Sequence, residues 1–375
     1  MKVAIVTESF LPTINGVTTS VCRVAECLAD LGHEVLILSP RPAPPRYAGQ
    51  RVHPVPSVNV RSFPTGLPLR DVRIALSRFT PDVLHVASPF VLGARALHDA
   101  AQLGIPSVAI YQTDMPAYLA QHAPSLIAPN AADAAWRWIR RVHSLAGRTL
   151  APSRPTVAEL AAHDVPRTAL WARGVDTSLF HPARRWSPAA RALRARLAPD
   201  GEVLVGYVGR LAPEKELGRL VELTAIAGIR LVIVGDGPSR DAVAARLPAA
   251  ARLGHRSGED LATAYAALDV FVHPGTRETF GQTLQEAAAS GLPVVAPARG
   301  GPLDIVGHGR TGLLFDPAEP GALRASVKAL VDDPALREAM GAAGRASVAD
   351  RTWPMLTSQL VGHYEGVRRV AAPAA

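Results

Sequence analysis

Two carboxylates, Glu278 and Glu286, stand eight positions apart where a loop leads into a helix of this 375-residue chain. The run 278–296 indicates a loop with a glycine hinge, a helix that ends at Gly291, and then a buried strand. At the rise of an α-helix, the two carboxylates would lie roughly 12 Å apart along the axis, too far to share a proton. The spacing suits two separate contacts along one extended polyhydroxyl ligand. Taken singly, Glu278 could instead cap the helix and Glu286 could be a solvated helix residue.

Two cations, Arg210 and Lys215, follow a predicted strand in the run Gly-Arg-Leu-Ala-Pro-Glu-Lys. A pyrophosphate at this strand end would meet both cations and the N-terminus of the next helix, whose free N–H groups favour anions. The alternative is a pair of solvated surface cations. Lysine occurs only at Lys2, Lys215 and Lys328, and this rarity favours a function for Lys215.

Two glycine turns follow other predicted strands. Gly16, after Asn15, would let the backbone approach a phosphate closely, although it could equally be a plain turn glycine. The Gly-Asp-Gly run at 235–237 is weak by itself, because a tight strand-to-helix turn would also explain it. The first strand is not followed by Gly-x-Gly-x-x-Gly, which disfavours a dinucleotide-dependent oxidoreductase.

Short apolar strands alternate with amphipathic helical stretches, which predicts parallel sheets of βα units. We expect an α/β chain with two doubly wound domains, at 1–180 and 202–352, joined by a linker at 181–201 that is rich in Pro, Arg and Ala. A helix at 353–375 is expected to pack back on the N-terminal domain. Ligands would bind in a cleft between the carboxyl ends of the two sheets. The predicted strands are at 3–7, 34–40, 82–88, 107–113, 148–153, 169–175, 204–209, 230–234, 251–254, 270–274, 293–297 and 311–315, with one more near 52–56 in a Pro-rich loop.

Composition narrows the class of protein. The net charge of +8 favours anionic partners such as nucleotides, phosphates or acidic lipid surfaces. No dense basic run is interleaved with aromatic residues, which argues against nucleic acid. The spacing of Cys22 and Cys27 disfavours a disulfide or a zinc site. No signal-peptide pattern and no stretch of the ~18 apolar residues of a membrane span is found, so a cytoplasmic protein is expected.

Together these motifs resemble the retaining glycosyltransferases of family 4, which have the GT-B fold of two Rossmann-like domains facing a deep cleft. The shared features are Glu-x7-Glu before Ala-x-Gly-x-Pro-Val at 278–294, Gly-Arg-Leu-x-x-Glu-Lys at 209–215, Phe-x-Pro-x-x-Asn-Gly-Val at 10–17 and Gly-Asp-Gly at 235–237. The resemblance covers essentially the whole chain. Within the family, the segments 8–10, 111–114 and 171–176 are most similar to those of actinobacterial GDP-mannose-dependent α-mannosyltransferases.

The resemblance implies a role for each matching residue, with Arg210, Lys215 and Glu278 as the catalytic set. Many relatives have a histidine at the position of Gln112 or of Asp114. Glutamine cannot act as an acid or base, so whether either residue replaces that histidine stays open, and both are candidates for sugar or acceptor contacts. The implied donor contacts are Glu278 and the backbone amides of Phe280 and Gly281 for the sugar, Glu286 for the ribose, Gly16, Arg210 and Lys215 for the diphosphate, and residues near Arg256 for the base.

The implied activity is metal-independent transfer of a hexose, mannose from GDP-mannose, to a hydroxyl of a lipid-linked or small-molecule acceptor with retention of configuration. No cofactor is implied, because the sugar nucleotide is a co-substrate. One alternative is a UDP-sugar-dependent enzyme acting on a soluble secondary metabolite, and another is a GT-B sugar-nucleotide epimerase. A pyridoxal-dependent phosphorylase is disfavoured by the scarcity of lysine.

Two segments rich in basic and apolar residues, at 61–78 and 136–141, indicate what kind of molecule the acceptor is. Basic helices with apolar faces can lie on anionic membranes. This predicts a peripheral position on the inner face of the plasma membrane and an acceptor glycolipid. The alternative is an ordinary domain surface whose apolar side packs inward.

Overall fold

The computed structural model describes residues 1–13, 15–60, 63–67, 70–114, 116 and 128–371. The chain divides into two compact units, Met1–Arg173 with Trp353–Ala375 and Gly174–Thr352. Each unit is an α/β domain built on a largely parallel sheet, so the predicted fold class is confirmed.

The first unit contains every strand predicted for the first half of the chain, with ends that shift by a few residues. The Pro-rich segment forms more strand than expected, because β3 and the β5–β6 pair accompany the predicted β4. The strands are β1 (Lys2–Val6), β2 (Glu34–Pro40), β3 (Arg46–Tyr47), β4 (Gln50–Val55), β5 (Ser57–Val60), β6 (Phe63–Gly66), β7 (Val83–Val86), β8 (Ser107–Ile110), β9 (Arg148–Ala151) and β10 (Thr168–Leu170).

The main sheet of this unit has the order β10-β9-β8-β7-β1-β2-β4-β3, with only the β3–β4 pair antiparallel. The central strand β1 is buried on both faces from Val3 to Val6, as expected for a parallel strand covered by helices on both sides. The chain order reverses between β1 and β7, which creates a switch point at their carboxyl ends.

The helices of the first unit cover both faces of this sheet. Asn15 caps the first of them, since its side chain accepts from the N–H groups of Val17 and Thr18 at 3.0 Å. The C-terminal helix belongs to the core beside it, and the indole of Trp171 donates to the carbonyl of Leu356 at 2.8 Å. The helices are α1 (Gly16–Asp30), α2 (Arg70–Phe79), α3 (Val91–Leu103), α4 (Ala128–His143), α5 (Arg154–Ala162) and the C-terminal helix (Trp353–Ala371).

The second unit has a six-stranded sheet in which every strand is parallel. The strands are β11 (Val203–Val208), β12 (Ile229–Val234), β13 (Ala251–Gly254), β14 (Val270–Val272), β15 (Val294–Pro297) and β16 (Gly312–Phe315). Their order, β13-β12-β11-β14-β15-β16, is the Rossmann order, and it reverses between β11 and β14. The carboxyl ends of these two strands therefore form the switch point of this sheet.

Helices of both the α and the 3-10 type surround this second sheet. None of the described helices of either unit has the length and apolar character needed to cross a bilayer. The 3-10 helices are Pro182–Trp186, Pro213–Lys215 and Leu217–Ala225, and the α-helices are α6 (Pro188–Leu197), α7 (Arg240–Arg246), α8 (Gly258–Ala267), α9 (Gln282–Ala289), α10 (Pro302–Ile305), α11 (Ala322–Asp332) and α12 (Pro334–Val348).

The segment 181–201, predicted to be a linker, is a folded part of the second unit. Its arginines pair with one carboxylate, since Arg185 and Arg194 lie 2.5 and 2.7 Å from the oxygens of Asp269. Composition predicted a solvated linker because Asp269, which neutralises these arginines, lies far from them in the sequence. The second unit accordingly begins at Gly174.

Candidate active site

The site in the second unit begins with the neighbouring strands β11 and β14. The first leads into the run that contains Arg210 and Lys215, and the second leads into the loop that contains Glu278. Because carboxyl ends of parallel strands meet at one edge of a sheet, the strand order brings two sequence-distant motifs together at the switch point.

Lys215 and Glu278 form an ion pair, with 2.6 Å between the Lys215 Nζ and the Glu278 Oε2 atoms. Their side chains are only 20% and 16% exposed, so this charge-assisted hydrogen bond is shielded from much of the solvent. Glu278 is not a helix cap, because α9 has Gly281 at its N-cap and no side-chain bond there. The two residues predicted to contact the donor are thus brought into direct contact with each other.

Glu216 fastens the two loops that carry this pair, and sequence reasoning did not identify it. Its carboxylate accepts from the Thr276 backbone N–H at 3.1 Å and from the Thr276 hydroxyl. Desolvation opposes the charge, but the hydrogen bonds from Thr276 and Arg219 prevail and lower the pKa of Glu216. Gly275 permits the close approach, since a Cβ there would lie 3.1 Å from the Lys215 Cα. The only sequence signal was the adjacency of Glu216 to Lys215.

His273 lies beneath the pair at the end of β14, and sequence reasoning placed it only at the end of a strand. It is 2% exposed, and its Nε2 lies 3.7 Å from the Glu278 Oε2. Its ring stacks on that of Tyr207, with centroids 6.3 Å apart. Burial lowers the pKa of His273 to about 4, so the imidazole is neutral at pH 7. Among the described residues, neither ring nitrogen has a hydrogen-bond partner of good geometry, although the nearby Gly275 backbone acts to raise the pKa of the ring.

Arg210 is largely exposed and forms an ion pair with Glu214 one turn later. The α-helix expected after Lys215 is not formed there. Pro213 begins a short 3-10 turn, and Glu216 then adopts a left-handed conformation with φ of 49°, which interrupts regular helix. The anion-favouring α-helix N-terminus predicted at this position is therefore absent, and the side chains themselves supply the positive charge.

The Gly-Asp-Gly turn packs directly against the turn that carries Arg210. A Cβ on Gly235 would lie 1.9 Å from the Gly209 carbonyl oxygen, and a Cβ on Gly237 would lie 2.4 Å from that of Leu211. The Leu211 N–H also donates to the Asp236 carbonyl at 2.9 Å. These glycines are required for close backbone packing that shapes the Arg210 turn.

Two glycines, Gly281 and Gly301, shape the loop between Glu278 and α9. The Gly301 N–H donates to the Glu278 carbonyl at 2.7 Å, and a Cβ on Gly301 would meet the Phe280 carbonyl at 2.3 Å. Phe280 is buried, and Gly281 has a φ of 102°, which favours glycine. The sequence identified Phe280 and Gly281, whereas Gly301 was missed.

Glu286 is partly buried within α9 and is not a simple solvated residue. The Tyr265 hydroxyl donates to its Oε2 at 3.0 Å. Desolvation raises the pKa of Glu286 to about 7, opposed by the hydrogen bond from Tyr265. A carboxyl group that is half protonated near neutral pH can donate as well as accept a hydrogen bond. Arg256, expected near the base, lies after β13 and 3.9 Å from Asp260.

The predicted residues of the first unit surround Arg173, which sequence reasoning did not select as a contact. A Cβ on Gly16 would lie 3.2 Å from an Arg173 guanidinium nitrogen. The Gln112 amide donates to the Ala87 carbonyl at 2.6 Å and accepts from Arg173. Gln112 therefore orients a buried guanidinium beside Gly16. Asp114 lies nearby in sequence and is partly buried.

Glu8 occupies the switch point of the first sheet. One carboxylate oxygen accepts from the N–H groups of Leu92 and Gly93, at 2.5 and 3.1 Å, and so caps α3. Burial raises the pKa of Glu8 to about 7, although the backbone hydrogen bonds act in the opposite direction. The sequence signal was only its position just after the first strand.

Comparisons with known proteins bear on the whole chain. Residues 14–179 match the family model described as Glycosyltransferase Family 4, and residues 190–347 match Glycosyl transferases group 1. The chain is 48% identical to a GDP-mannose-dependent alpha-mannosyltransferase of Mycobacterium tuberculosis, over 98% of this chain and 97% of that protein. It is 45% identical to one of Corynebacterium glutamicum, over 98% and 89%.

Among solved structures, sucrose-phosphate synthase from Thermosynechococcus elongatus has a similar fold. The TM-score is 0.81 at 22% identity, covering 98% of this chain and 99% of that one. At this identity the likeness concerns the fold alone.

Proposed function

The chain belongs to the family 4 glycosyltransferases of GT-B fold, and from this premise we propose that it transfers mannose from GDP-mannose to an acceptor hydroxyl, with retention of configuration and without a metal ion. The observation that carries this proposal is the Lys215–Glu278 pair at the switch point of the second unit. It holds together a cation suited to a diphosphate and a carboxylate suited to sugar hydroxyls. The names of relatives at 45–48% identity support the choice of donor.

The proposed mechanism follows from the charge that develops as the sugar–phosphate bond breaks. The sugar gains oxocarbenium character while negative charge grows on the leaving diphosphate. Lys215 and Arg210 stabilise that negative charge, and Glu278 fixes the sugar hydroxyls. The acceptor hydroxyl attacks the face from which the diphosphate departs, and the diphosphate takes its proton. Glu286 holds the ribose, with Tyr265 orienting its carboxyl group.

A donor panel tests this proposal. GDP-mannose, GDP-glucose, UDP-glucose and UDP-galactose are each incubated with the protein, and we expect GDP-mannose to raise the melting temperature most. At a donor concentration about 100-fold above Kd, binding stabilises the folded state by about 2.7 kcal/mol. With an acceptor extract, nucleotide release and the product glycoside are measured by chromatography, with and without EDTA.

Each alternative has its own outcome in this panel. Selective stabilisation by a UDP-sugar would replace the proposed donor. An epimerised free sugar without a glycoside would indicate an epimerase. Loss of activity in EDTA, restored by a divalent cation, would contradict metal independence.

We also propose that the acceptor is linked to lipid at an anionic membrane surface. The basic segment that includes α2 packs Val72 and Leu76 in the core but exposes Ile74 at 46%. The other segment lies in α4, where Trp138 is 44% exposed, and Leu145 in the turn that follows this helix is 40% exposed. Exposed apolar side chains with neighbouring arginines can insert at the headgroup level of anionic lipid.

Vesicle co-sedimentation tests the membrane proposal. Arg141 is exposed on α4, and Arg141→Glu is expected to weaken binding to phosphatidylglycerol-containing vesicles. Each basic residue near such a surface contributes about 1 kcal/mol, so reversing one charge changes affinity by up to roughly 30-fold. Arg324→Glu, on exposed α11, makes the same charge change and should bind nearly as wild type. Wild type that stays in the supernatant at both low and high salt would favour the soluble acceptor.

A further inference from the structure

The ion pair at the switch point joins two groups that the proposed function needs in two places. The Lys215 ammonium must neutralise the diphosphate, while Glu278 must accept from the sugar hydroxyls. In the structure the Lys215 ammonium donates to the Glu278 carboxylate instead, with 2.6 Å between the two atoms. An ammonium has three N–H donors and can contact a carboxylate and a phosphate oxygen together, but the two negative charges of a diphosphate attract it away from the single charge of Glu278. Donor binding therefore weakens this pair, and the inference below rests on that proposed function.

One further group is placed to replace the ammonium beside Glu278. His273 is buried, and its Nε2 lies 3.7 Å from the same Oε2 that Lys215 contacts. A displacement of about 0.5–1 Å would bring the two atoms within hydrogen-bond distance. Within the part of the chain that the structure describes, neither ring nitrogen makes a hydrogen bond of good geometry, and the Gly275 backbone lies close enough to act on the ring without satisfying it, which is rare for a buried polar group.

We propose that donor binding exchanges the partner of Glu278: the Lys215 ammonium turns to the diphosphate, and His273 takes one proton from solvent on Nε2 and becomes the cation beside Glu278. His273 is then a positioning residue, because it keeps Glu278 ionised and oriented toward the sugar without touching the donor itself. No covalent bond changes, and the imidazole gains the proton that the buffer loses.

The charges around His273 favour this exchange only when the donor is present. The groups that act on the ring are the charges of Glu278, Lys215 and Glu216 and the backbone of Gly275, and Tyr207 stacks against it. At rest, burial and then the ammonium of Lys215 hold the pKa of His273 low, while the two carboxylates and the Gly275 backbone act in the opposite direction. A bound diphosphate adds negative charge and draws the ammonium away, so both changes raise the pKa of the imidazole.

The exchange couples donor binding to proton uptake, which calorimetry measures. GDP-mannose is titrated into the protein at pH 7 without acceptor, in two buffers that differ in ionisation enthalpy. Its diphosphate is a diester that does not titrate near this pH, so the difference in binding enthalpy reports protons bound by the protein. We expect wild type to take up roughly 0.5 to 1 proton per donor more than a protein that lacks the imidazole of His273.

Two variants test whether His273 holds that proton. His273→Asn removes the titrating ring, and Glu278→Gln keeps the ring but removes the charge that stabilises the imidazolium. Both should take up fewer protons than wild type by the proton that His273 holds, because any proton exchanged by Glu286, whose pKa is about 7, is common to all the proteins and cancels in the comparison. The matched control is His98→Asn, at an exposed position on α3 of the first unit, which should show the wild-type uptake. Melting curves establish whether each variant is folded. If His273→Asn is unfolded, the comparison is made between wild type and Glu278→Gln.

The outcomes separate this inference from the proposed function. Binding of GDP-mannose with the same proton uptake in wild type and in a folded His273→Asn protein, or in Glu278→Gln where His273→Asn does not fold, overturns the exchange and leaves the proposed donor standing. If another sugar nucleotide binds in place of GDP-mannose, the proposed donor is replaced and the proton count is made with that nucleotide. Failure of every sugar nucleotide to bind overturns both.

Discussion

Lys215→Ala is expected to lower kcat by about 10²-fold or more, because it removes a charge that stabilises the leaving diphosphate in the transition state. The affinity for GDP should fall as well, since the same ammonium contacts the diphosphate in the free nucleotide. Turnover is measured as nucleotide release at saturating donor, and GDP affinity by calorimetry. The melting temperature is expected to fall as well, because the change removes the ammonium from a carboxylate that is only 16% exposed, so turnover is compared at a temperature where the variant is folded.

Lys328→Ala provides the matched control for this variant. Lys328 also pairs with a carboxylate, Asp332 at 2.5 Å, but on the exposed surface of α11. Its loss should leave kcat within a factor of about 2, as surface substitutions away from a site usually have small effects. A folded Lys215→Ala protein with turnover close to that of Lys328→Ala would remove Lys215 from the mechanism.

Glu278→Gln is expected to lower kcat/KM for the donor by about 10²-fold, a loss of about 2.7 kcal/mol of transition-state stabilisation. Glutamine keeps the shape and one acceptor oxygen but removes the negative charge that accepts strong hydrogen bonds from sugar hydroxyls. The affinity for GDP alone should stay the same or rise, because Lys215 loses its competing partner. Initial rates over a range of donor concentrations and calorimetry with GDP check these two expectations.

The contrast in GDP affinity distinguishes the two residues. Weaker GDP binding in Glu278→Gln would show that the carboxylate acts on the nucleotide and not on the sugar. Glu338→Gln, at an exposed position of α12, makes the same chemical change away from the site and should retain wild-type kinetics. A rate for Glu278→Gln equal to that control would contradict the assignment of Glu278 to the sugar.

Local pattern was sufficient for most of the fold. Most strands of both sheets follow from apolar runs, and the end of α1 near Gly32, with a φ of 76°, follows from glycine at a left-handed position. The exceptions were the additional strands of the Pro-rich segment and the segment 181–201, where Pro and Arg are equally compatible with a solvated linker. Only the pairing of Arg185 and Arg194 with Asp269 shows that the segment is folded.

For the site, residue type and spacing identified side chains but not their relations. Gly235 and Gly237 were ambiguous as a motif, and their contacts show that they shape the turn of Arg210. Gln112 stood where relatives have a histidine, and its place between the Ala87 carbonyl and Arg173 gives it an orienting role. These contacts join residues that are distant in the sequence, so the local hydrophobic pattern cannot predict them.

Hydrophobic periodicity and glycine turns are properties of neighbouring residues, and they were enough to predict a two-domain α/β chain with acids and cations at strand ends. They could not predict that Lys215 contacts Glu278 across 63 positions, or that His273 is buried beside this pair. Both follow from the order of the strands. The chain returns to place β14 beside β11, and the two strand ends then share one small, partly desolvated volume in which each charge sets the state of the others.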